Sequence, residues 1–235
     1  LTMGGAGQCS GTLIAPSVVL TAASCLPDLV AANYQVLGGA DPFSAPLFTS
    51  AVSAVHRHPD YDEQTFAHNV GVLELTSAPS PPVTPLPWLA ADEGLYATGL
   101  SASFLGYGVT DAVTQNGSGL RRGGVAPITT HDADTFAIDA TLGQSPCAGD
   151  SGGPALPAES VTGDIVMGVT SYGDQDCASY AVFARTDANA SFIALYAPEP
   201  TAGAETSAAV LALALAAGRS ASRRPRAFAL RSAPR

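Results

Sequence analysis

Residues Cys147–Pro154 read CAGDSGGP, a serine set between glycines on a stretch with no helix-forming run behind it. Two chemistries share this pattern. The subset Gly149-x-Ser151-x-Gly153 fits a nucleophile elbow, in which the serine sits on a sharp turn leading straight into a helix. Here Pro154 and Pro157 follow at once, then Glu159, Gly163 and the strand-like DIVMGVTSYG, so that helix is missing and the elbow reading fails. What remains is a glycine-lined turn presenting Ser151.

Working outward, short apolar runs alternate with Gly, Pro, Asp and Asn. Ser10–Ile14, Val18–Ala22, Tyr34–Leu37, Val70–Leu75, Phe104–Tyr107, Thr135–Ile138, Ile165–Ser171 and Tyr180–Arg185 have strand length, a pattern of an antiparallel barrel or sandwich. The stretch SAPSPPVTPLPW, Ser77–Trp88, holds too many prolines for a central element and reads as a surface crossing between two halves. Ala188–Tyr196 reads as a short helix. With 46% hydrophobic and 13% charged residues over 235 positions, the chain can bury a core, so disorder is excluded as its bulk state.

Charge divides the chain. Residues 1–197 hold 18 acids against 4 Arg, a net −14, which would repel nucleic acid; residues 198–235 hold 6 Arg against 2 Glu, a net +4. Four cysteines, Cys9, Cys25, Cys147 and Cys177, match neither a zinc ribbon nor a redox pair; they allow three pairings or none. A disulfide reading implies an extracytoplasmic home. The chain opens at Leu1 without a basic, apolar signal segment, and the expectation is that a beginning precedes it.

The company CAGDSGGP keeps is specific: CSGTLIAPSVVLTAASC at Cys9–Cys25, HPDYDEQTFAHNVGVLEL at His58–Leu75, GYG at Gly106–Gly108, then GVTSYG at Gly168–Gly173, in that order. From about Leu1 to Tyr196 the chain resembles the trypsin/chymotrypsin family of serine proteases. The resemblance implies an all-β fold of two six-stranded antiparallel barrels with a short C-terminal helix, over a domain spanning 1–197. It places Ser151 at the nucleophile, puts the N–H groups of Gly149 and Ser151 at the oxyanion hole, and pairs Cys9 with Cys25 and Cys147 with Cys177. It sets Ser145 at the floor of the substrate pocket, with Ser171, Gly173 and Ala181 on its walls, a set suited to apolar or aromatic side chains. No cofactor or metal is implied.

Two positions depart from the family. Ser24 stands where the general base histidine belongs, and Asn69 where the orienting aspartate belongs. A serine hydroxyl is too weak a base and too short to reach Ser151; an asparagine cannot stabilise an imidazolium. Losing such a triad costs about 10⁶-fold in kcat. His68, beside Asn69, points away if Asn69 faces the cleft, because neighbours on an extended segment alternate. His56 and His58 read as solvated surface, as does the His131, Asp132, Asp134 cluster, which lacks the glycine and distal glutamate of a calcium loop. In active relatives the carboxylate at Asp150 pairs with an N-terminal amine; with none in view, it needs another partner.

The expectation is therefore an exported protease homologue, catalytically inactive, that binds a peptide or protein ligand. The alternative is an active endopeptidase using Ser151 with apolar or aromatic preference. After Pro198-Glu199-Pro200, an apolar run at Ala208–Ala217 and an Arg cluster resemble the PEP-CTERM sorting tails of Gram-negative bacteria, making 198–235 a candidate for membrane association during processing. Ten apolar residues are short for a span, and the longer stretch Ala202–Gly218 includes Glu205.

Overall fold

The computed structural model describes residues 2–3, 7–158 and 164–198. The sorting-tail expectation falls, beyond Pro198, outside the described residues. Among those described, no helix is long and apolar enough to cross a membrane.

Among the described residues, thirteen strands form two sheets. The first half contains β1 (Thr2–Met3), β2 (Gly7–Gln8), β3 (Thr12–Ala15), β4 (Val18–Thr21), β5 (Tyr34–Gly38), β6 (Phe48–Arg57) and β7 (Gly71–Leu75). They join in the order β2-β1-β5-β6-β7-β4-β3, antiparallel throughout. The second half closes into a barrel, β10-β13-β12-β11-β8-β9, from β8 (Ser101–Gly106), β9 (Arg122–His131), β10 (Thr135–Asp139), β11 (Pro154–Pro157), β12 (Gly168–Gly173) and β13 (Tyr180–Arg185). Two barrels of six strands are thus met in full by the second half. The first half is a seven-stranded half-barrel, because its edges, two-residue β2 and four-residue β3, do not ladder to each other.

Each half has its own apolar filling. Val19, Leu26, Val36, Val55 and Leu73 pack in the first, and Phe104, Ile128, Phe136, Ile138 and Phe183 in the second, where Phe136 and Phe183 stack at 4.9 Å. A third cluster lies between them and takes Ile14, Leu20 and Val72 from one side, Leu156, Val169 and Ala184 from the other, with Phe192 and Ile193. The last two come from α1 (Ala190–Ile193), which follows a 3-10 turn at Asp187–Asn189, so the helix expected over Ala188–Tyr196 is only one turn long. The proline-rich crossing ends inward rather than on the surface: Trp88 is buried in that third cluster, and its indole N–H donates to the Ala197 carbonyl at 3.1 Å.

Candidate active site

The serine turn is shaped by glycines that must be glycines. Gly149 and Gly152 have φ of +97° and +84°, where other residues are strained, and a Cβ on Gly152 would run into Thr21 Oγ1 and the Ser10 carbonyl. Ser10, fully buried, clamps the turn. Its N–H donates to the Ser151 carbonyl at 2.8 Å, its hydroxyl donates to the Gly149 carbonyl at 2.9 Å, and that same hydroxyl accepts from the Tyr107 N–H at 3.1 Å. With both carbonyls held, the N–H groups of Gly149 and Ser151 have no acceptor among the described residues. That is the donor pair an oxyanion hole needs.

Asp150 points away from this pair. Its carboxylate accepts from the Gly108 N–H at 2.7 Å and the Cys147 N–H at 2.8 Å. Burial pushes its pKa up, while those two N–H groups and the nearby Arg122 pull it back. The partner the sequence left open is therefore backbone, supplied by the GYG segment and by the turn itself.

Ser24, expected at the base position, sits on a 3-10 turn, Ala23–Cys25, tied down by the Cys9–Cys25 disulfide. Cys147–Cys177 is the second bond, so both implied pairings are formed. The Ser24 side chain is exposed, and its N–H donates to Asn69 Oδ1 at 2.8 Å. Asn69 is fully buried, and its Nδ2 donates to Ser171 Oγ at 2.8 Å. The Ser24 N–H is a donor, so the amide oxygen must face it, which fixes the amide's orientation. Ser171 reaches inward because it is the extra residue of a bulge where β12 slips against β13, between Thr170 and Tyr172. Ser24, Asn69 and Ser171 form a neutral, hydrogen-bonded chain beside a serine whose hydroxyl has no hydrogen-bond partner among the described residues.

All four histidines lie elsewhere. His68, with φ +51°, holds the Asn189 side chain through Nδ1 at 3.0 Å and stacks on His58 at 4.7 Å. His58 corrects the solvated reading: it is buried and packs on Phe192 at 4.8 Å, its basicity lowered by burial and then by His68. His56 is half-buried, 2.7 Å from Glu74 and stacked on Tyr196 at 4.2 Å. His131 is exposed at the end of β9. Asp132 accepts from the N–H groups of Asp134 and Thr135, which makes that cluster a turn.

Sequence reasoning missed Tyr61, whose phenol has the Ser24 hydroxyl as a hydrogen-bonding neighbour and Arg57 over its ring at 5.9 Å. Burial, then Glu63, raises its pKa, so it stays protonated at neutral pH and supplies no base. It was hidden because HPDY looks like an exposed turn. Ser145 is half-buried, its hydroxyl donating to the Pro146 carbonyl at 3.0 Å, and it lines a cavity of about 270 Å³ with Asp150, Arg122 and Cys177. Ser171, Gly173 and Ala181 do not line that cavity; Gly173 pairs with Ala181 across β12 and β13. Among the described residues no cluster of His, Cys, Asp or Glu could hold a metal ion.

Two unequal sheets, a clamped Gly-Asp-Ser-Gly turn between them and two disulfides framing it define a serine-protease architecture. The family model described as Trypsin matches residues 1–193, and the chain belongs to that family. It is 32% identical to "Trypsin" of Saccharopolyspora erythraea over 189 residues, covering 74% of this chain and 79% of the relative. It is 27% identical to "Trypsin beta" of Drosophila erecta, covering 74% and 71%, and 26% identical to "Trypsin alpha" of Drosophila melanogaster, covering 74% and 70%.

Proposed function

We propose that this trypsin-family protein works outside the cytoplasm as a binding module, taking a peptide or protein ligand in its cleft without turning it over. One observation carries the reading: the base and orienting positions are joined as a neutral hydrogen-bonded pair, Ser24 N–H to Asn69 Oδ1, and no imidazole stands beside Ser151. General base catalysis needs a group that takes the serine proton near neutral pH, and neither a hydroxyl nor an amide does so. The nucleophile turn, by contrast, keeps its shape, its donors and its disulfide, which supports a retained recognition surface. The two disulfides support an oxidising compartment.

The test is hydrolysis of a peptide pool rich in aromatic residues and leucine by the chain and by its Ser151→Ala variant. The expected result is no cleavage by either. Cleavage that disappears in the variant would overturn the reading and establish an active endopeptidase.

A further inference from the structure

We propose that the cleft is built to receive the free C-terminal carboxylate of a peptide, so that it reads chain ends rather than chain interiors. This deepens the binding reading above and rests on it.

Three donors have spare capacity at one turn: the N–H of Gly149, the N–H of Ser151 and the Ser151 hydroxyl. Ser151 is half-buried, while Ala148 and Ser24 beside it are exposed, so a ligand end can reach the turn. An internal peptide carbonyl can take the two N–H groups but brings no charge. A terminal carboxylate is ionised at neutral pH and has a second oxygen for the Ser151 hydroxyl, and charge-assisted hydrogen bonds are roughly twice as strong as neutral ones.

The departure at position 69 works in the same direction. An aspartate at position 69 would set a fixed negative charge next to the incoming carboxylate; the neutral amide removes it and turns a donor towards Ser171 instead. The remaining nearby charge, Asp150, has both oxygens on the Gly108 and Cys147 N–H groups, facing away from the donor pair. The chain's net charge of −10 opposes any anion at long range, so the preference for an acid should grow as salt rises towards ~0.15 M, where screening shortens that repulsion to about 8 Å.

Fluorescence anisotropy with fluorescein-labelled Ala-Ala-Pro-Phe ending in a free carboxylate, against the same peptide ending in an amide, tests the proposal. The acid is expected to bind about tenfold tighter or more. Ser151→Asp, which puts a resident carboxylate at the donor pair, should abolish the difference. Asn69→Asp should weaken binding of the acid more than binding of the amide, with thermal unfolding checking that each variant folds. Equal affinity for acid and amide overturns the carboxylate assignment and leaves the cleft-binding reading standing. Binding of neither peptide overturns both.

Discussion

The Ser24 N–H and Asn69 Oδ1 lie 2.8 Å apart, which makes the two residues expected at the base and orienting positions direct hydrogen-bond partners. The pair is internally consistent. With no imidazole to balance it, a carboxylate at position 69 would be a buried, uncompensated charge, whereas the amide keeps the same shape and the same acceptor without that cost.

Asn69→Asp in the otherwise unchanged chain should therefore fold less stably at neutral pH, by about 1–3 kcal/mol. A lone buried carboxylate has a raised pKa, so the folded state holds its proton more tightly than the unfolded one. Stability is then highest below the unfolded value and falls as pH rises through the folded one. Urea midpoints at pH 4 and pH 7, compared with those of the parent, check this.

Ser24→His alone should leave peptide hydrolysis at background. Asn69 presents Nδ2 on the side facing Ser171 Oγ, and an amide donor there puts the wrong hydrogen on an incoming imidazole. Adding Asn69→Asp corrects the tautomer and should raise kcat by about 10⁴-fold over the single variant, the size of the loss that the reverse change causes in active serine proteases. Burst kinetics with an activated ester would read both steps.

The loop carrying Cys177 should loosen in acid. The half-buried Asp174 carboxylate accepts from the N–H groups of Ala178, Ser179 and Tyr180 at 3.0–3.1 Å, and these hydrogen bonds bring its pKa down to about 2. A depressed carboxylate contributes stability above its ordinary value of 3.8, and that contribution is lost as pH falls towards 2. Hydrogen-exchange protection factors across 174–180, taken relative to the intrinsic rate at each pH, should fall between pH 4 and pH 2, and Asp174→Asn should flatten that dependence.

Replacing both Cys9 and Cys25 by alanine should cost about 3 kcal/mol, the usual worth of closing a ring of this size, here 16 residues apart. Because that ring holds the Ser24 turn, the change should also weaken any cleft ligand. Denaturant unfolding and anisotropy separate the two effects.

Most of the architecture could be read from residues. Tyr180–Arg185 forms its strand as expected, and Val18–Thr21, buried at every position, matches its apolar run. Strands β6, β9 and β11 escaped notice for separate reasons. Phe48–Arg57 is rich in Ser and Ala, Arg122–His131 contains Gly123, Gly124 and Pro127, and Pro154–Pro157 begins and ends in proline, so composition argued against strands that tertiary pairing supplies. In the site, Ser151, Ser24 and Asn69 stood out by motif. Ser10 and Tyr61 did not, because a small buried clamp and a turn tyrosine carry no spacing signal. The inward burial of His58 depends on Phe192, 134 positions further along the chain, a contact that local sequence cannot report.

The apolar cluster shared by Leu20, Trp88, Val169 and Phe192 draws side chains from both sheets, from the crossing and from the terminal helix. The two halves should consequently share one melting transition instead of behaving as beads on a string. Cutting the backbone within the proline-rich crossing, between Ser77 and Pro87, would leave a noncovalent heterodimer, and fragments expressed separately on either side of that cut should find each other and reconstitute the cleft only together.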